Sequence, residues 1–315
     1  MKLIVTIDTE EDSWATYSPT VNPVKNIERL VPLQQLFDRY EVRPTYLVTY
    51  PVVTKPESLA ILKRILDQGK CEIGMHCHPW NTPPFDEEIN DFNSLLCNLP
   101  EPLVRSKLEN LHNAIVHAFG ITPVSFRAGR WGFSPAVART LAELGYLVDS
   151  SVSPFIDWSE YFGPDYSNFP LHPYRFDPDE IKIPNERGSL MEIPATVGFL
   201  QNDFKGCQRL ARALENGVLQ KLRLKGLLSK LGVLNKAWLS PELNSSEDMI
   251  RLAKRLRGMQ YPCLNMSFHS TSLLAGMSPF VQDSADEEKF IEKIEKFLIF
   301  SVEAGFQPVT LSQAC

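Results

Sequence analysis

Short apolar runs alternate with longer stretches of helical periodicity along the whole chain, and this alternation narrows the fold more than any other feature of the sequence. Candidate strands fall at residues 2–8, 44–50, 71–78, 123–127, 146–149, 189–195, 263–269 and 307–310. Helix-like stretches lie between them at residues 27–40, 57–68, 102–119, 134–144, 246–257 and 286–304. Gly69, Gly120, Gly145 and Gly305 each follow a helical stretch, where a left-handed C-terminal residue ends a helix. Successive βα units of this kind predict a distorted (β/α) barrel of seven or eight strands in the α/β class, formed by one domain over residues 1–315. Residues 153–187, rich in proline and aromatics, break the rhythm and read as a long loop over one barrel face.

Several of these strands end in a residue that a strand core would not choose. The first ends in Asp8, with Glu10, Glu11 and Asp12 just beyond; the third ends in His76 and His78. The fourth ends in Arg127, the fifth in Asp149 and the seventh in His269. In a β/α barrel the C-terminal strand ends converge on one face, so five distant segments would deliver carboxylates, imidazoles and a guanidinium to one pocket. A single polar strand end is commonplace; the coincidence across five strands points to a site. Within it the His-x-His pair is the sharpest local signal. Alternate residues of a strand share a face, so His76 and His78 present two imidazoles on one side and Cys77 on the other. Two imidazoles and a carboxylate form a common protein ligand set for catalytic zinc.

Composition excludes other classes. A net charge of −6 argues against nucleic acid as the main partner, since phosphate binding needs a basic face. No stretch approaches the roughly 20 apolar residues of a membrane span, and the short apolar start is not a signal peptide. The six cysteines lack paired spacing and suggest neither disulfides nor a thiolate metal site. These features predict a cytoplasmic protein.

The motifs resemble those of the polysaccharide deacetylase (NodB-homology) family. Thr6-Ile7-Asp8-Thr9-Glu10 is similar to the family's opening Thr-Phe-Asp-Asp, and Glu72-Ile73-Gly74-Met75-His76 to its second motif. Residues 126–132 (FRAGRWG) resemble the third motif, Val148-Asp149-Ser150-Ser151 the fourth, and Asn265-Met266-Ser267-Phe268-His269 the last. The forms DTEEDSW and IGMHCHPWNTPP look most like the WalW-like branch associated with lipopolysaccharide biosynthesis. Two positions depart from the pattern. Thr9 stands where the family has a second aspartate, leaving Glu10, or Asp8 itself, as the metal ligand. The family spaces its two histidines four apart; position 80 is Trp, so His78 must substitute for the second.

The resemblance implies metal-dependent removal of an N-acetyl group from a sugar. A divalent metal, zinc by expectation, would be held by Glu10, His76 and His78. Asp8 would be the base, kept ionised by Arg127, and His269, supported by Asp149, would protonate the departing amine; Asp157 is the rival to Asp149. Trp80 and Trp131 are candidates for a sugar platform. Hydrolysis of another C–N bond, in a formamido sugar or a ring amide, is the alternative within the enzyme class, and a non-catalytic glycan binder the alternative outside it. Residues 205–236 carry eight Lys or Arg and one acid among many leucines. Such a segment reads either as a barrel helix or as a basic amphipathic surface for peripheral contact with an anionic membrane, which would suit a lipid-linked saccharide substrate.

Overall fold

The computed structural model describes residues 1–12, 14, 16–215 and 233–314. It begins with β1 (Lys2–Thr9), α1 (Leu30–Arg39), β2 (Thr45–Val48), the short α2 (Tyr50–Thr54), α3 (Pro56–Asp67) and β3 (Glu72–Cys77). Then come α4 (Glu101–Phe119), β4 (Ser125–Ala128), α5 (Pro135–Glu143), β5 (Val148–Asp149), β6 (Tyr174–Phe176), β7 (Leu190–Glu192) and β8 (Val197–Phe199). The remaining elements are α6 (Phe204–Glu215), β9 (Lys236–Trp238), α7 (Ser246–Gly258), β10 (Cys263–His269), α8 (Ser284–Glu303) and β11 (Gln307–Pro308).

The main sheet runs β10-β1-β2-β3-β4-β5-β7-β6, with β11 against β1; all neighbours on the path are parallel except β6 on β7. The eight strands of that path agree with the sequence reading. The sheet curls, and the chain beyond β7 bridges its two ends. Ile193 N–H donates to Asp149 O at 2.9 Å on one side, and Asn265 N–H donates to Thr196 Oγ1 at 2.8 Å on the other. The result is a distorted (β/α) barrel.

Strand alternation sorts the side chains into two layers. Leu3, Val5 and Ile7 of β1 join the large apolar cluster beneath the helices. Ile4 instead joins Leu47, Val148, Ile193, Cys263, Val309 and Leu311 in a small cluster that forms the barrel floor. Counting two residues up β1 from Ile4 reaches Thr6 and then Asp8, so the inward row becomes polar as it nears the C-terminal mouth.

The long segment at 153–187 is more ordered than the sequence reading had it. Tyr174 and Phe176 are buried on either side of exposed Arg175, and this short alternation builds β6 on the sheet edge. Of the basic segment, the start lies in α6, whose Phe204, Cys207, Ala211 and Leu214 form a buried stripe. Residues 216–232, with Lys221, Arg223, Lys225 and Lys230, lie outside the described residues. Among the described residues, no helix is long and apolar enough to cross a membrane.

Candidate active site

Parallel register brings the strand-end residues together. Asp8 on β1 lies beside His269 on β10, and His76 on β3 beside Arg127 on β4. Below them Arg127, fully buried, spans the barrel. It donates to Asp8 Oδ1 at 2.7 Å, Thr6 Oγ1 at 2.8 Å, Ser150 Oγ at 3.0 Å and Ser150 O at 2.8 Å. Burial alone would raise the Asp8 pKa, but the charge of Arg127, with that of His269 adding to it, holds it at about 2. Asp8 is therefore a fixed carboxylate with Oδ2 turned toward the cavity, 3.8 Å from His269 Nε2.

Glu10, just past β1, meets the two imidazoles. Its Oε2 is 3.5 Å from His78 Nε2 and 3.9 Å from His76 Nε2. Ligand atoms held about 2 Å from a tetrahedral zinc stand roughly 3.3 Å apart, so the three need only a small contraction to close on an ion. His76 is also in the required tautomer. His76 Nδ1 lies 2.9 Å from the Arg127 carbonyl, which can only accept, so Nδ1 carries the proton and the Nε2 lone pair faces Glu10. His78 Nδ1 lies 3.8 Å from Glu11 Oε1. Glu11 is anchored by Asn81 Nδ2 at 2.8 Å and Thr49 Oγ1 at 3.1 Å. Burial lowers the His76 pKa to about 3, with the nearby His78 adding to the effect, so the ring stays neutral. Burial raises Glu10 to about 7, and the neighbouring carboxylates of Glu11 and Asp8 push the same way. A buried acid beside a neutral His76 and two further carboxylates is stabilised by a bound cation. The donor set fits a divalent metal, and Glu10 rather than Asp8 stands with the imidazoles.

A different environment surrounds His269. Its Nδ1 lies 3.0 Å from Glu242 Oε2, and Glu242 also accepts from the His269 backbone N–H at 3.0 Å and Ser272 Oγ at 2.5 Å. Burial would lower the His269 pKa, yet Glu242, with Glu10 and Asp8 across the cavity, pushes it up to about 10. Trp14 packs its ring edge against this imidazole, centroids 4.8 Å apart.

Asp149, the residue expected to support His269, does not reach it, and neither does Asp157. Because Val148 points inward to the floor, its neighbour Asp149 must point outward. There it lies in register with Glu192 and accepts from Ser151 Oγ at 2.6 Å. Burial raises both carboxyls, and Asp149 raises Glu192 further. Asp157 binds Ser159 in its own turn. Sequence reasoning missed Glu242, which sits in a loop beyond the three-residue β9 and carries no motif.

Above these groups opens a cavity of about 420 Å³. All five tryptophans of the chain line it: Trp14, Trp80, Trp131, Trp158 and Trp238. Trp131 and Trp158 are parallel within 7°, their centroids 6.5 Å apart, and Trp80 stacks on His78 at 4.2 Å. Gly129 makes the close approach on this side possible, since a Cβ there would overlap the His78 ring.

No protein-family profile matches the chain, and no curated protein matches it in sequence. Solved structures do match in fold. A Parabacteroides distasonis protein, provisionally described as a glycoside hydrolase/deacetylase, superposes with a TM-score of 0.61 at 11% identity, over 99% of this chain and 70% of its own. An allantoinase, Puue, superposes with a TM-score of 0.53 at 12% identity, over 99% and 88%. A Mycobacterium smegmatis protein provisionally described as a polysaccharide deacetylase gives 0.49 at 17% identity, over 98% and 93%. At these identities the first two likenesses establish the fold alone: a distorted (β/α) barrel.

Proposed function

We propose that the protein is a metal-dependent carbohydrate N-deacetylase. The observation that carries this reading is the pairing, across one aromatic cavity, of a carboxylate–imidazole cluster with an ion-paired histidine. Glu10, His76 and His78 would hold the metal, zinc by preference of the donor set. When bound, such an ion supplies Lewis-acid polarisation of an amide carbonyl and acidifies water. Asp8, fixed by Arg127, takes the proton of the attacking water. His269, kept charged by Glu242, gives its proton to the sugar nitrogen as the C–N bond breaks. An amine anion is too poor a leaving group to depart without that proton. The tryptophans stack on sugar faces and exclude bulk water from the reacting centre.

Elemental analysis of purified protein should find one divalent metal per chain, and acetate should be released from nucleotide- or lipid-linked N-acetyl sugars. A metal-free protein that releases no acetate would overturn the assignment. The similarity to an allantoinase favours one second reading, hydrolysis of another non-peptide C–N bond in a formamido sugar or a ring amide. Saccharide binding without turnover would instead make the protein a non-catalytic glycan binder. A lipopolysaccharide precursor, a cytoplasmic location and peripheral attachment to the inner membrane through residues 205–236 complete the proposal. Salt-sensitive pelleting with anionic vesicles tests the attachment.

A further inference from the structure

The deacetylase reading leaves one charged cavity residue unused. Arg130 is the only Lys or Arg among the described residues lining the cavity, which also holds the acids Asp8, Glu10, Glu11 and Glu242 and, against Glu242, the charged His269. Arg127 is spent on Asp8 beneath the floor of the site. Arg130, by contrast, pairs with no carboxylate among the described residues. One terminal nitrogen donates to two neutral hydroxyls, Tyr17 Oη at 2.5 Å and Ser94 Oγ. Its guanidinium carbon lies 5.7 Å from the centre of the Tyr17 ring. Its Nε and second terminal nitrogen have no hydrogen-bond partner among the described residues.

The backbone carries a cost to hold it there. Arg130 and Trp131 have φ values of 53° and 60°, two consecutive non-glycine residues in the left-handed region. Tyr166 Oη donates to the Trp131 carbonyl at 2.6 Å and locks the turn from below. An unpaired arginine on an open surface needs no explanation, because water satisfies it. A strained turn that sets a half-buried guanidinium among acids in a cavity wall is a different case, and a planar fork with free N–H groups suits a bidentate oxyanion.

We infer that the substrate carries an anionic group, carboxylate or phosphate, next to the amide-bearing sugar, and that Arg130 binds it. This inference rests on the deacetylase reading, so binding and turnover are tested separately. Zinc-loaded protein is titrated calorimetrically with N-acetylglucosamine, N-acetylglucosamine 1-phosphate and N-acetylmuramic acid, the last two distinguishing phosphate from carboxylate. One of the charged sugars should bind the wild type at least about tenfold more tightly than the neutral one, the usual scale of a charge-assisted hydrogen bond. In Arg130→Gln that preference should vanish while zinc content and affinity for the neutral sugar stay unchanged, and Arg130→Lys should recover part of it. Equal binding of all three sugars by the wild type would overturn the inference. So would a preference that survives in Arg130→Gln, or a loss of neutral-sugar affinity as large as that for the charged sugars, which would make Arg130 a tie for its loop. Acetate release is followed in the same samples; its absence with the binding preference intact would count against the deacetylase reading and not against Arg130.

Discussion

The two sides of the cavity use the same residue type for opposite ends. On one side His76 and His78 are buried with Glu10, and burial keeps the His76 ring neutral with its lone pair facing inward. On the other, His269 stands against Glu242 and keeps its proton, although it too is largely enclosed. Burial disfavours the charge in both places, and a carboxylate at hydrogen-bond distance decides the second. A pair of environments that push like groups apart in pKa assigns a neutral ligand to one and an acid to the other. Asp8 lies between them, held as an anion by Arg127.

The largest effect should come from exchanging losses between the two sides. His76→Ala should abolish both metal binding and turnover. His269→Ala should cost about 10²–10⁴ in rate, the range for a lost general acid, with metal content unchanged. Metal loss in both variants would erase the distinction. Gly129→Ala is the next most severe, since its methyl group overlaps the His78 ring; metal affinity should fall about 10–100-fold, measured by competition with a chelator. Unchanged affinity would mean that His78 is not held where the ligand set needs it.

Glu242→Gln sharpens the other side. The alkaline limb of kcat/KM should move from near 10 toward the ordinary histidine value of 6.5. Because the folded pKa is raised, the His269–Glu242 pair stabilises the fold fully below pH 6.5 and loses that contribution as pH rises to about 10. The variant should therefore lose more stability at pH 6 than at pH 10, read from thermal melts. Asp149→Asn should have the smallest effect. It should leave the pH limb of His269 in place, since Asp149 faces Glu192 on the other surface of the sheet. A shifted limb would restore the expectation that Asp149 supports His269.

Much of this arrangement was readable from the sequence because it depends on strand alternation. His-x-His must put two imidazoles on one face, and β1 carries Asp8 to the mouth two residues above Thr6. Asp149 was assigned to His269 through the resemblance, and strand alternation had no reference by which to test that. Whether residue 148 or 149 faces inward depends on which apolar residue joins the barrel floor, and only the closed barrel shows that Val148 does. Glu242 had no local signature, because its position follows from β9 pairing with β8 across a short second sheet. Trp14 and Trp158 likewise reach the cavity from separate loops, and Trp238 from the end of β9, a meeting that no spacing encodes.

Ring-nitrogen NMR of the histidines, recorded on metal-free protein from pH 5 to 9 and repeated after adding zinc, tests the two-sided cavity most directly. The His269 signal, assigned through His269→Ala, should show both nitrogens protonated up to pH 8 and stay in place when zinc binds. His76 should show a neutral ring protonated at Nδ1 down to pH 5, with Nε2 shifting on zinc addition. A His269 ring that titrates near 6.5, or a His76 ring that gains a proton above pH 5, would contradict the account.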